Sequence, residues 1–476
     1  MSGRPRAGGF LSGLAVGAAL TLLLLRIAGI PLQRGIDTPA FQKFFAAYHD
    51  MSGLYYRTVS QQTLLDGAIV GMTHSLGDPF TDYFTPTAAT QFHRMLSGQY
   101  VGIGVIMQNT GDQFVIASVI PNSPAARAHL RAKDVIVAVD GHAVQGLTTD
   151  AVANRVLGPA GTRVRLTIQR PTVPGRALHF TIARAPFTAP TVYTRMLPHH
   201  IGYLQITVVG DGTATEVDKA LIKLRQAGAT RLLIDLRDNG GGYLDQATSI
   251  ANHLIPAGKV ILQTQGRTGA PVPITSQGPG TRLPIAVLMD GNTASAAEVL
   301  AAALHEDVGS PLIGPRSVGK GPVQETHMYT DGSGLKYTVA RWLTPNGTWI
   351  NKKGLAPTLA VSLPAYVSLP ALSASALPLR KNDNNTDVST VQQILRALGY
   401  TVDRVDGYFD LSTQQAVSAY QRRVRLPVSG SVNQRTATRM ETDLSVLTAR
   451  SDTQLLRAQQ VLAGLRVRAS SSTGKP

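Results

Sequence analysis

The strongest constraint on the fold is the alternation of short apolar runs with amphipathic runs between Ile201 and Val361. "IGYLQI" precedes "TATEVDKALIKLRQAG", "RLLIDLR" precedes "YLDQATSIANHLI", and "PIAVLMD" precedes "SAAEVLAAALHE". The first member of each pair reads as a buried strand and the second as a helix, which predicts an α/β core. The flanks follow other rules. From Ile36 to Ser97 apolar residues recur at helical spacing until Gly77-Asp78-Pro79 stops the helix. From Val101 to Phe187, β-branched runs such as "FVIASVI", "VIVAVDG" and "VRLTIQR" are divided by Gly, Pro and Asn, the pattern of a small β-rich domain. Beyond a Leu-, Pro-, Ala- and Ser-rich linker from about Leu363 to Leu379, three short helical periods follow. The spacing shows no internal repeat.

Composition narrows the chemistry. The 476 residues include no cysteine, which removes disulfides, thiolate metal sites and cysteine nucleophiles together. No His-Glu-x-x-His pair occurs, and His74, His129, His199, His200 and His305 are scattered, so neither a metal nor a cofactor is expected. The net charge of +16 suits anionic surroundings such as wall polymers or a lipid surface, or a solvated basic surface with no partner. No zinc-finger spacing or aromatic-rich RNA-binding signature supports nucleic acid.

Near the N-terminus, Arg4 and Arg6 precede an apolar run from Phe10 to Leu25, extended by Ile27 to Leu32 if Arg26 snorkels. Positive charge before the run predicts a cytoplasmic N-terminus and an exported remainder; with no small-x-small site after Leu25, an uncleaved single-pass anchor is expected ahead of a cleaved signal peptide.

Three segments carry candidate chemistry. In "PIAVLMDGNTASAAEVLAAALHE" a buried strand enters a tight turn, and Ser295 sits where the helix starts, beside unpaired N–H groups and the positive end of the helix dipole. Those features stabilise an oxyanion, yet Ser295-Ala296-Ala297-Glu298 also reads as a capping box with a purely structural role. "GPRSVGKGPVQ" sets Lys320 between two glycines with Gln324 four residues on. A close-approach loop of that kind can hold a lysine in a dry pocket as the neutral amine, or simply display it at the surface. "RLLIDLRDNGGGYLDQA" ends a strand in three glycines, which let backbone N–H groups approach a ligand or merely make a turn.

Two rival motifs fail on context. Gly314 to Lys320 matches the start of a P-loop, but Gly321 stands where Ser or Thr is required, and Pro322 opposes the helix. Ser333-Gly-Leu-Lys336 matches S-x-x-K, but "LKYTVARW" reads as a strand and no K-T-G accompanies it.

Taken together these segments resemble the carboxyl-terminal processing, or tail-specific, protease family. The resemblance runs from about Leu64 to Val361 through "GAIVGMTHSLGDPFTDYF", "YVGIGV", "LGPAGTRVRLTIQR", "DLRDNGGG", "TASAAE", "SVGKGPVQ" and "RWLTPNGTWINKKGLAPT". It implies a serine endopeptidase with a crotonase-like α/β core. Ser295 would be the nucleophile, Lys320 the general base and Gln324 its orienting partner. The backbone N–H groups of Ala296 and of Gly241 or Gly242 would form the oxyanion hole. The β-rich segment would be a PDZ domain whose Gly102, Ile103 and Gly104 N–H groups hold a substrate's terminal carboxylate. His129 and Lys133 stand where that family usually has glycines, and Gly240 stands where a proline is common.

Residues 387–444 resemble a peptidoglycan-binding domain through "VQQILRALGY", "DGYFDLSTQQAVSAYQ" and "SGSVNQRTATRM", with Asp410 in place of the usual Gly and Ser429 in place of an acidic residue. The expected organisation is then an anchor over 1–35, a helical region over 36–97, a PDZ domain over 98–187 and a protease core over 188–362. A linker (363–385), a three-helix wall-binding domain (386–445) and a C-terminal helix with a polar tail (446–476) complete it. Expected partners are protein or peptide substrates, peptidoglycan and the bacterial cytoplasmic membrane, with a homodimer left open. The competing readings are a non-catalytic PDZ and wall-binding scaffold and a penicillin-type acyl transferase.

Overall fold

The structure, a computed structural model, describes residues 38–110, 113–147, 149–173 and 175–465. It divides into two compact units that meet in sequence between Tyr83 and Phe84. The apolar run expected to anchor the chain lies outside the described residues. Among the described residues no helix is long and apolar enough to cross a membrane.

The first unit holds helices α1 (Pro39–Gly53) and α2 (Gln61–Ser75), and the short strand β1 (Asp82–Phe84) runs across the boundary in sequence. Thr38 caps α1 at its Phe41 N–H and Ser60 caps α2 at its Thr63 N–H.

The second unit opens with α3 (Pro86–Ser97), which has Pro at its first turn and leaves through Gly98 in the left-handed conformation. Strand β2 (Gln99–Gly102) pairs with β9 (Ala185–Thr188). Between them lies the β-rich domain. Its strands are β3 (Val105–Thr110), β4 (Gln113–Val119), β5 (Val135–Val139), β6 (His142–Ala143), β7 (Arg163–Gln169) and β8 (Ala177–Ala183), ordered β3-β4-β5-β7-β8 with β6 on β5. A single turn, α4 (Pro124–Arg127), and helix α5 (Thr149–Val156) complete it. In β7, Val164, Leu166 and Ile168 alternate into the core while Arg163, Arg165 and Gln169 face out. His129 and Lys133 both adopt positive φ (60° and 74°), the region where glycine is favoured.

The core sheet runs β10 (Val192–Leu197), β11 (Ile201–Ile206), β12 (Arg231–Asp235), β15 (Ile285–Leu288) and β16 (Leu312–Ile313). β10 is antiparallel to β11, and the other pairs are parallel. Helices α6 (Thr213–Gln226), α7 (Leu244–Leu254) and α8 (Ala296–Val308) make the crossovers and cover one face. Successive residues of β12 point to opposite sides: Leu232 and Ile234 join the core under these helices, and Leu233 joins a second core on the far face. A central parallel sheet buried on both sides requires such continuous apolar strands. The Ala-rich sequence of α8 follows from position, since every residue from Ala296 to Leu304 is buried.

A second sheet joins β17 (Pro322–Met328), β18 (Gly334–Leu343), β13 (Val260–Gln265) and β14 (Val272–Thr275). The mixed α/β fold expected from the alternation is the one observed.

After the linker come α9 (Thr386–Ala397), α10 (Leu411–Arg423), α11 (Gln434–Arg450) and α12 (Thr453–Gly464). The first three pack around Phe409, Tyr420, Val391, Ile394 and Met440. Here the structure corrects one expectation, because this module does repeat internally. Buried Gln392 donates to the Tyr408 carbonyl and Thr413 Oγ1 and accepts from Gly407 N–H. Buried Gln421 donates to the Ser431 carbonyl and Thr436 Oγ1 and accepts from Gly430 N–H. The connecting loops differ in length, which hides the repeat from spacing. Asp410 caps α10 at the Thr413 N–H, and Asn433 does the same for α11 at Thr436.

Candidate active site

The loops leaving the C-terminal ends of the neighbouring parallel strands β12 and β15 converge, the place where open α/β sheets bind ligands. The loop after β15 turns sharply. Thr293 Oγ1 donates to the Leu236 carbonyl at 2.8 Å, the Asn292 N–H donates to Asp290 Oδ1, and Ala294 N–H donates to the Asn239 carbonyl at 2.9 Å. Ser295 then enters α8 with φ 55° and ψ −122°. That conformation is disfavoured for any residue with a Cβ and is tolerated only where its surroundings over-determine it. A sharply strained strand-to-helix turn of this kind exposes a hydroxyl at the top of a sheet.

Glu298 holds the strained turn. Its carboxylate is fully buried, and four donors converge on it, the full capacity of a carboxylate. Oε2 accepts from the Ser295 N–H and the Lys320 N–H, both at 2.8 Å. Oε1 accepts from Ser317 Oγ at 2.5 Å and the Gly319 N–H at 2.7 Å. One buried side chain thus clamps the serine turn to the lysine loop. In the sequence Glu298 stands only as the partner of a helix cap. Its second function depends on a loop nineteen or more residues away, which no local pattern reveals.

The lysine loop is fixed on its other sides as well. Lys320 O accepts from Trp342 Nε1 at 2.9 Å, Gly319 O accepts from the Lys352 N–H, and Asn351 Oδ1 accepts from the Gly321 N–H. Both flanking glycines are required by close approach. A Cβ on Gly319 (φ 82°) would lie 2.4 Å from Gly354 N, and one on Gly321 would lie 2.6 Å from Trp349 Nε1. The segment "NKKGLAPT" therefore acts as a rail for the lysine loop. Gln324 follows on β17, which continues directly from the loop with no helix, as a P-loop would need.

The glycine loop after β12 completes the site. Asn239, fully buried, donates from Nδ2 to the Ile206 carbonyl at 2.7 Å, and its Oδ1 accepts the Gly241 N–H at 2.9 Å. This bears on one expected oxyanion donor: the Gly241 N–H is already committed to Asn239. Gly241 (φ 96°) passes so close to the serine turn that a Cβ would meet Ala294 O at 2.7 Å and Ala296 N at 2.9 Å. Gly242 (φ 147°) would collide with Val209 O at 2.1 Å if substituted.

Ser295, Ala296, Lys320, Gln324, Gly240, Gly241 and Gly242 all line one cleft of ≈ 760 Å³. Its walls include residues for which the sequence offered no role in the site. Phe84 stacks on Phe92 with centroids 5.1 Å apart, and Lys336 Nζ lies 5.0 and 5.2 Å from the two rings. Leu96, Val299, Val323, Met328 and Trp342 give the cleft an apolar lining, with His93 and Tyr243 among them. Burial, with Asp211 and Asp245 nearby, pushes the Tyr243 phenol up, so it stays protonated at neutral pH. Ser333 lies in the turn before β18, where its hydroxyl donates to Asp331 Oδ1, so it does not form an S-x-x-K pair on a helix. Among the described residues no cluster of His, Asp and Glu could hold a metal ion.

In the β-rich domain, Gly102, Ile103 and Gly104 form the turn between β2 and β3. The Ile103 and Gly104 carbonyls accept from the Ala125 and Ile120 N–H groups. Gly104 (φ 80°) admits no Cβ, which would fall 2.2 Å from Ser123 Cβ. The turn is therefore closely packed, with the Ile103 and Gly104 carbonyls bonded within the domain.

Against known proteins, residues 200–361 match Peptidase family S41, residues 115–170 a PDZ domain and residues 384–440 a putative peptidoglycan binding domain. Residues 32–87 match the activating protease CtpB N-terminal domain. The chain is 35% identical over 450 residues to the carboxy-terminal processing protease CtpA of Bacillus subtilis, covering 94% of this chain and 96% of that one. It is 34% identical to CtpB of the same organism, covering 89% and 90%. Among solved structures, a photosystem II D1 C-terminal processing protease aligns with TM-score 0.42 at 29% identity, covering 68% of this chain and 88% of that one. A protease core carrying a PDZ domain and a peptidoglycan-binding module defines a serine-type endopeptidase. The chain belongs to the S41 carboxy-terminal processing proteases.

Proposed function

We propose that the chain is an extracytoplasmic serine endopeptidase working through a serine–lysine dyad. The observation that carries this reading is the Glu298 clamp, which ties the strained Ser295 turn to the Lys320 loop at one cleft. In the proposed reaction the neutral Lys320 amine takes the Ser295 proton as Oγ attacks the scissile carbonyl carbon. Gln324 orients the amine. The oxyanion lies at the N-terminus of α8 against the Ala296 N–H and a glycine-loop N–H, and Gly242 suits this better than Gly241, whose N–H serves Asn239. Lys320 returns the proton to the leaving amine, and a second proton transfer lets water release the acyl group.

The PDZ domain would capture substrate C-termini through Gly102, Ile103 and Gly104, by β-strand addition. The wall module and a membrane anchor near residues 9–32 would confine the enzyme between the bacterial cytoplasmic membrane and the wall, raising the local concentration of confined substrates. Ser295→Ala should abolish hydrolysis of an unfolded protein while leaving the melting curve near that of wild type. Retained hydrolysis would refute the dyad. Protease shaving of wall-permeabilised intact cells should digest a C-terminal tag, and full protection of the tag would refute the topology.

A further inference from the structure

The chain's last described helix returns from the wall-binding module to the protease core. Helix α12 lays Leu455, Ala458, Val461 and Leu462 on the sheet face formed by Ile201, Tyr203, Leu233, Ala286, Leu288 and Ile313. Gln454 Nε2 donates to the Val361 carbonyl and Thr453 Oγ1 to the Ser362 carbonyl, so the helix starts beside the point where the chain leaves the core. The three-helix module is thus strung between two adjacent attachments on the protease and is not a free appendage.

The first residues of α12 also reach the loop that carries the glycines. Arg237, three residues before Gly240, points away from the cleft. Its Nε and Nη2 donate to the buried Asp235 carboxylate at 3.0 and 2.6 Å, and Tyr203 Oη adds a bond to Asp235 Oδ2 at 2.7 Å. On its other side, Arg237 Nη1 donates to Asp452 Oδ1 at 2.9 Å and Gln454 Oε1 at 3.1 Å, and Nη2 lies 2.9 Å from Asp452 Oδ2. The Arg237 side chain is only 15% exposed and that of Asp452 26%, so this bidentate pair is partly shielded from solvent. From Arg237 the chain runs directly to Asp238, whose N–H donates to Asp290 Oδ1, and to Asn239, which holds the Gly241 N–H and the turn before Ser295.

We infer that Asp452 and Gln454 are positioning residues for the glycine loop, acting through Arg237, and that α12 belongs to the catalytic core. The inference rests on the reading of that loop as part of the oxyanion hole. It means that catalysis depends on a helix encoded beyond the wall-binding module.

Asp452→Asn is the informative variant. Asn caps a helix as well as Asp, so the cap on the Leu455 N–H survives while the charged bidentate pair is lost. Thr453→Val removes the bond to Ser362 but touches nothing that leads to Arg237. With the purified full chain and fluorescein-labelled casein, Asp452→Asn should lower kcat about tenfold with KM within about twofold, as expected when a charge-assisted pair becomes neutral. Thr453→Val should leave kcat unchanged. Arg237→Lys combined with Asp452→Asn should be no slower than Arg237→Lys alone, because the two act in series. Gln454→Met, which preserves volume, should lower kcat in the same direction and serves as the second variant if Asp452→Asn does not fold. Unchanged kcat in Asp452→Asn or Gln454→Met, with only a lower melting temperature, would overturn the inference and reduce α12 to packing. Ser295→Ala run alongside separates the two levels. If it is inactive while Asp452→Asn turns over normally, only the positioning role fails. If it is active, the serine reading fails and takes the inference with it.

Discussion

Replacing Glu298 by Gln tests the clamp at the centre of the site. The carboxylate accepts four hydrogen bonds from Ser295 N–H, Lys320 N–H, Ser317 Oγ and Gly319 N–H, and it is fully buried. A glutamine has one carbonyl oxygen and an NH₂ that can only donate. If the NH₂ faces Ser295 and Lys320, both N–H groups lose their acceptor; if it faces Ser317 and Gly319, the Ser317 hydroxyl can turn to accept from it, but the Gly319 N–H and the second amide N–H stay unpaired. A buried unsatisfied group costs about 1–3 kcal/mol, so two of them amount to roughly 2–6 kcal/mol of stability. Either orientation loosens one end of the clamp between the strained Ser295 turn and the lysine loop: the first releases the Ser295 and Lys320 N–H groups, the second the Gly319 N–H beside Lys320. A misplacement on the order of 1 Å at reacting groups costs about 10²-fold in rate. The expected result is therefore a folded protein with a lowered denaturation midpoint and kcat reduced by about two orders of magnitude. Steady-state hydrolysis of labelled casein, together with urea unfolding followed by circular dichroism, reads both effects. Near wild-type kcat in Glu298→Gln, with or without a loss of stability, would show that the clamp does not align the dyad.

Two further substitutions follow from the same geometry. Lys320→Arg should be as inactive as Lys320→Ala, because a guanidinium does not deprotonate in a protein and cannot act as base; turnover near wild type would make Lys320 a structural or electrostatic residue. Lys133→Gly should stabilise the PDZ domain by about 0.5–1 kcal/mol, since relief of a left-handed conformation costing about 1–2 kcal/mol exceeds the extra chain entropy of glycine. A lower unfolding midpoint would refute that balance.

What the sequence disclosed depended on distance along the chain. The strands "RLLIDLR" and "PIAVLMD", the turn into Ser295 and the glycines about Lys320 were legible because period, turn chemistry and close approach are written locally. The left-handed conformations at His129 and Lys133 were likewise foreshadowed by where a glycine was expected. Glu298 was seen as half of a helix cap, and that half exists, but its bonds to the Lys320 loop are tertiary. The same holds for Asn239, whose side chain occupies the Gly241 N–H, and for Phe84, Phe92 and Lys336, which share no motif yet meet in the cleft wall. The sequence announces a helix within 446–476 but not that Leu455, Ala458 and Leu462 lay it on the core sheet.

In the proposed mechanism Ser295 is the residue that takes the acyl group. Mixing the purified enzyme with a slowly hydrolysed p-nitrophenyl acyl ester, quenching in acid and mapping peptides by mass spectrometry measures this directly. The expected result is one acyl adduct on Ser295 in wild type and none in Ser295→Ala, with little or none in Lys320→Ala. An adduct on another residue, or an undiminished adduct when Ser295 is alanine, would contradict it.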